Sequence, residues 1–137
     1  MDNYSVRDYT PGDYKEVVRI WNETAMGGPE RGDNQAIIDH SISIGGRLLL
    51  LVDQNNKRVI GTSWMTFDGR RIHLHHFGIE PSYQSRGLSK ILLKESMNHV
   101  RQKGFQVKLE VHQSNTRAIN LYKGAGFKYL GIMMFIL

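Results

Sequence analysis

The spacing of apolar residues changes period several times along this chain. Leu48, Leu49, Leu50, Leu51 and Val52 form an unbroken apolar run, the pattern of a strand covered on both faces. Residues 4–8, 59–67, 71–79, 106–111 and 127–137 also read as strands, and Asp68-Gly69 signals a hairpin between two of them. Between the strands the period lengthens. Tyr14, Val17, Val18 and Trp21 fall at i, i+3, i+4 and i+7, one face of a helix. Thr10 is placed to cap it, with Pro11 at its first position and Asp13 in its first turn, and Gly27-Gly28-Pro29 must end it. A second helix over 34–44 is expected to turn Ile38 and Ile42 inward. A third over 88–103 carries Leu93, Met97 and Val100 and stops at Gly104. A fourth over 116–125 carries Ala118, Leu121, Tyr122 and Ala125, and Gly126 suits a left-handed exit.

These elements predict an α/β fold with a mixed sheet: antiparallel hairpins first, then a β–α–β crossover through the long helix. Such a crossover is right-handed and makes the strands ending at Ile79 and Val111 parallel. No repeat, linker or low-complexity tract divides the chain, so residues 1–137 are expected to form a single domain.

Composition narrows the chemistry. The chain has 137 residues and no cysteine, which excludes disulfides, thiolate metal sites and a cysteine nucleophile. It shows neither a long apolar span nor a secretory leader, which points to the cytoplasm and away from the membrane. The net charge of +5 would attract nucleic acid, an acidic protein surface or a phosphorylated cofactor. No dense Lys/Arg run and no basic strand interleaved with aromatics speaks for nucleic acid.

The sharpest chemical signal is the turn made of Gln84, Ser85, Arg86, Gly87, Leu88 and Ser89. It joins an apolar strand to the start of the long helix, so a row of backbone N–H groups and the positive end of the helix dipole converge on one point. That arrangement suits an anion such as a phosphate, and a lone glycine in a basic turn also suits an ordinary turn.

Read with Asn115, Ala118, Leu121-Tyr122 and Gly126-Phe127 downstream, Gln84-x-x-Gly87-x-Ser89 resembles the paired signatures of the GNAT family of N-acetyltransferases. The resemblance covers roughly residues 58–131, and Ser89 stands where the family usually has Gly or Ala. It implies a GNAT-type fold, a central mixed sheet flanked by about four helices, with acetyl-CoA as co-substrate and no metal. Phe77, Gly78 and Ile79 would hold the pantetheine arm and polarise the thioester carbonyl through their backbone. The 84–89 turn would wrap the pyrophosphate and Asn115 would touch the cofactor arm. Tyr122 falls on the family's general acid, Glu110 on the base of the ribosomal-protein N-terminal acetyltransferase branch, and His73 on the base of the histone-acetyltransferase branch.

Each of these has a plainer reading: Tyr122 as a core tyrosine, Glu110 as a carboxylate paired with Lys108 or Arg117, His73 as a strand histidine. His73, His75 and His76 invite a metal, but strand alternation puts His76 on the face opposite the other two, and no carboxylate completes a site. Glu30, Arg31 and Asp33 sit in the loop expected to face the acceptor. That acceptor is expected to be a small-molecule amine, with a protein N-terminus or lysine as the alternative. A non-catalytic acyl-CoA-binding module and a nucleic-acid-binding protein are the competing classes. Ten residues follow Phe127, which leaves the last strand either alone at an edge or covered by a second copy of the chain in a homodimer.

Overall fold

A computed structural model describes residues 3–131. Five strands form one mixed sheet in the order β1-β2-β3-β4-β5, so each strand lies beside its neighbours in the chain. They are β1 (Tyr4–Asp8), β2 (Arg47–Asp53), β3 (Arg58–Phe67), β4 (Ile72–Ile79) and β5 (Val107–Leu109). The first four pair antiparallel and β4 pairs parallel with β5, as the crossover requires. Four α-helices flank the sheet: α1 (Tyr14–Glu23), α2 (Gln35–Ser43), α3 (Leu88–Lys103) and α4 (Thr116–Gly124). The mixed sheet with its four helices is the fold that the sequence signatures imply.

The apolar run of β2 serves two cores. Leu49 and Leu51 join Leu88, Leu92, Leu93 and Tyr122 on the α3/α4 side. Leu48, Leu50 and Val52 join Val17, Ile20, Trp21 and Ile38 on the α1/α2 side, because successive side chains point to opposite faces. On that second side Trp21 stacks on Trp64 with ring centroids 5.4 Å apart. Their indole N–H groups donate to Thr62 Oγ1 and Ser41 Oγ, each at 3.0 Å, so neither is buried without a partner.

The helices depart from their expected faces in ways packing explains. Ile20 is buried in α1 while Val18 is only half-buried, since α1 rests on the sheet through Val17, Ile20 and Trp21. Ile38 is fully buried but Ile42, one turn further along α2, is 36% exposed. In α3 the buried stripe is Leu88, Leu92, Ser96 and His99 with Leu93, while Met97 and Val100 stay half-buried. A groove of about 610 Å³ separates α3 from α4, and Met97, Leu121 and Ala125 line it instead of closing on each other. The expected strand over 106–111 shrinks to three residues, and 127–131 forms no strand; the rest of the expected last strand, 132–137, lies outside the described residues.

Two buried carboxylates fasten the end of β4. Glu80 accepts from Arg19 at 2.8 Å, Arg58 at 2.9 Å and Ser82 at 2.6 Å. These partners hold its carboxyl below the usual range against the opposing cost of burial. Asp53 accepts from Tyr83 Oη at 2.8 Å. The turn that follows β4 therefore starts from an anchored position.

Candidate functional site

Three pieces of structure meet where β4 leaves β5: the turn before α3, the open seam between the two strands, and the polar face of β4.

Gln84 Nε2 donates to Ile79 O at 2.9 Å, tying the turn back to the strand. Ser85 (φ 66°) and Gly87 (φ 75°) both take the left-handed conformation, and Gly87 is the N-cap of α3. A Cβ on Gly87 would meet open space, so glycine serves there for its backbone freedom, not for room. Among the described residues the N–H groups of Ser85 through Ser89 donate to no protein acceptor. Arg86 lies over the Tyr83 ring at 5.0 Å, and Arg117 reaches from α4 to donate to Ser85 Oγ at 2.9 Å. The result is a row of unpartnered donors at a helix N-terminus with two guanidinium groups beside it. Such a row offers donors to the oxygens of an anion.

The seam opens immediately. The β4/β5 ladder consists of Ile72↔Val107, His73↔Lys108 and Leu74↔Leu109 and then stops, although β4 runs on to Ile79. Phe77, Gly78 and Ile79 thus lie on a strand edge without a β5 partner among the described residues. Tyr122 approaches that edge from α4, its ring 6.0 Å from Phe77 in a T-shaped contact. Burial pushes the Tyr122 phenol up to about 12. Asn115 is exposed and accepts from Ala118 N at 3.2 Å, so its carbonyl caps α4.

Glu110 lies just past β5, half-exposed, and is not inside an apolar strand. Its Oε1 is 3.2 Å from His73 Nε2, so the two candidate bases form one pair; Arg117 is engaged elsewhere. Burial lowers the His73 pKa, with Lys108 acting in the same direction and Glu110 opposing.

The largest departure from alternation is at His76. The β3/β4 register jumps from Trp64↔His75 to Thr62↔Gly78, so His76 and Phe77 together face Ser63. His76 takes φ 45°, a left-handed angle rare outside glycine. This bulge swings His76 onto the same face as His75, correcting the alternation expected from sequence. The His76 ring lies 4.4 Å from Trp21 and 5.2 Å from Trp64, and the His75 ring 4.7 Å from Trp64. The Nδ1 atoms of the two histidines are 2.7 Å apart. His75 Nε2 is 3.1 Å from Thr66 Oγ1, and His76 Nε2 is 3.0 Å from Asp33 Oδ2. Burial drives His75 down to about 3, and it lowers His76 against the pull of Asp33. Both rings are therefore neutral near pH 7. The histidines spend their nitrogens on neighbours, and among the described residues no three His, Asp or Glu side chains gather around a point a metal could fill.

Sequence reasoning placed Asp33 in a loop and did not single out Thr66. No local pattern marks a bulge at His75-His76, and the chain of contacts exists only once the 25–34 loop folds onto β4. No helix among the described residues is long and apolar enough to cross a membrane.

The chain is similar to known proteins along most of its length. A mycothiol acetyltransferase from Rhodococcus erythropolis is 29% identical over 140 aligned positions, covering 92% of this chain and 47% of that protein. The N-alpha-acetyltransferase RimI of Mycobacterium tuberculosis is 39% identical over 59 residues, covering 43% of this chain and 36% of that protein. The chain thus spans about half the length, or less, of these relatives. Among solved structures, a Trypanosoma brucei acetyltransferase superposes with a TM-score of 0.79 at 22% identity, covering 97% of this chain and 98% of the other. The model of the acetyltransferase (GNAT) family matches residues 14–127, and with the open seam and the turn before α3 it places this chain in the GNAT acetyltransferase family.

Proposed function

We propose that the chain is an acetyl-CoA-dependent N-acetyltransferase that passes the acetyl group directly to an amine in a ternary complex. The observation that carries this reading is the conjunction of the donor row at 85–89 with the seam that opens beyond Leu74 and Leu109. The first suits the pyrophosphate and the second the pantetheine arm. Acetyl-CoA supplies an activated thioester, and the rest is the work of this chain's groups.

The edge of β4 at Phe77 to Ile79 offers backbone N–H groups to the carbonyl oxygen as it gains charge. An alkylamine of pKa ~10.4 is almost wholly protonated at pH 7, so a proton must be removed before attack. His73, neutral and paired with Glu110, takes that role in this reading, with the Glu110 carboxylate orienting the ring. As the N–C bond forms and the C–S bond breaks, the leaving thiolate needs a partner. With Tyr122 at about 12, protonating a thiolate of pKa ~8.5 runs uphill by ~5 kcal/mol, so Tyr122 stabilises the sulfur by hydrogen-bonding to it.

The acceptor is a small-molecule amine in the first reading, in keeping with the relative named for mycothiol. A protein N-terminus is the second, favoured by Glu110 and Tyr122 flanking the seam and by the stretch similar to RimI. A cytoplasmic location and an amine-bearing partner belong to the same proposal. Thermal-shift titration with acetyl-CoA tests the donor, followed by an amine and peptide screen that detects released thiol. A melting temperature unmoved by millimolar acetyl-CoA would refute the reading. Binding without thiol release across the whole panel would leave an acyl-CoA-binding module in its place.

A further inference from the structure

The acceptor-side loop and the strained bulge of β4 are joined by a chain of hydrogen bonds whose direction the chemistry decides. A carboxylate only accepts, so His76 Nε2 must carry the hydrogen that meets Asp33 Oδ2 at 3.0 Å. A neutral ring has one N–H, so His76 Nδ1 is an acceptor, and His75 Nδ1, 2.7 Å away, must donate to it. His75 Nε2 is then an acceptor in turn, and Thr66 Oγ1 donates to it at 3.1 Å. The chain reads Thr66→His75→His76→Asp33 with one tautomer at each histidine. The burial that keeps both rings neutral maintains this order.

The same residues fix an unfavourable backbone. His76 sits at φ 45°, where a residue with a Cβ is strained by roughly 1–2 kcal/mol. Such strain persists only where the surroundings over-determine it. Here Thr62 Oγ1 donates to His76 O at 2.7 Å, both ring nitrogens are engaged, and two indoles pack on the ring. The loop adds a second grip: Met26 packs on Gly78 so closely that a Cβ there would come within 2.7 Å of Met26 Cε.

The geometry points to His76 as a positioning residue that, through Asp33, makes the acceptor-side loop hold the β4 bulge and so aims the outward N–H groups of the Phe77–Ile79 edge, those not bonded to β3, at the acetyl carbonyl. This rests on the N-acetyltransferase reading and deepens it. Loop and carbonyl site become one unit, so the donor ester is held correctly only when the loop is seated.

The test exploits the difference between acetyl-CoA and CoA, which is the acetyl group alone. Calorimetric titration of the full chain with each ligand gives their ratio of affinities. The wild type is expected to prefer acetyl-CoA by about three- to ten-fold, the effect of one or two neutral hydrogen bonds. Asp33→Ala should erase that preference with CoA affinity kept, and lower kcat. Asp33→Asn, whose amide oxygen can still accept from His76, should recover most of it. Thr66→Val, at the far end of the chain, should shift the ratio the same way by less. A preference unchanged in both Asp33→Ala and Thr66→Val would overturn the inference alone, as would equal losses for both ligands. A wild-type chain that binds neither ligand would overturn the functional reading with it.

Discussion

The turn before α3 leaves five consecutive backbone donors without a protein partner among the described residues, whereas the opposite wall of the site, on β4, closes each ring nitrogen of His75 and His76 on a protein partner. The first is a surface waiting for a ligand's acceptors. The second is already satisfied and can contribute only by holding shape. Damage should therefore appear as lost affinity on one side and as lost stability or altered rate on the other.

The largest effect is expected at the open side. Gly87→Glu puts a carboxylate where the phosphates belong and should weaken acetyl-CoA by more than about a hundred-fold. Because a Cβ there meets open space, the melting temperature should fall only slightly, through the strained φ of 75°. Unchanged affinity by calorimetry would remove the turn from the site. The core behind the closed wall, on the α1/α2 side, should behave in the reverse manner. Ile38→Ala, at a fully buried position of α2, should cost about 2–5 kcal/mol in denaturant unfolding. Ile42→Ala, on the same helix but 36% exposed, should cost about 0.5 kcal/mol or less.

Two smaller effects address the seam between these sides. Tyr122→Phe should lower kcat by about ten-fold with acetyl-CoA affinity retained, the size of one hydrogen bond. A loss of about a thousand-fold or more would instead mark Tyr122 as a true proton donor. The His73–Glu110 pair should be visible in the pH profile. His73 has its pKa below the ordinary 6.5, and it works as a base only when neutral, so kcat/KM should fall as pH drops through that lowered value. Glu110 opposes the lowering, so Glu110→Gln should move this acid limb to still lower pH. A limb that stays in place would separate the two residues functionally.

Much of the donor side was legible in the chain because its signals are local. Gly87 and Gly104, both left-handed, bracket α3, and the helix runs over the residues expected from them. The double-sided character of β2 followed from five apolar residues in a row. The acceptor side was not legible, for physical reasons. A bulge inserts one residue into the period of two, so every inference about faces beyond His75 inverts, and His-His-Phe carries no turn residue to announce it. Periodicity also names a helix face without saying how far its neighbour extends. That is why Ile42 and Ala125, which periodicity turns inward, are exposed, and Met97 is only half-buried. The expected strand over 106–111 takes in Glu110 because nothing local shows where β5 leaves β4. Only the three-pair ladder does.

That ladder also has a kinetic meaning. β1 to β4 join by antiparallel pairings, three of them between strands adjacent in the sheet and two closed by short turns, whereas β5 must wait for α3 to cross over before three residues can dock. Few bonds, gained late, make β5 the part of the sheet with the smallest opening free energy. Its amides should exchange with solvent well before those of β2 and β3, and a molecule lodged between β4 and β5 would slow them by bridging the two. The seam proposed to take the co-substrate should thus also be the place where the native sheet opens first, and an occupant there would act as a stabilising joint in the fold.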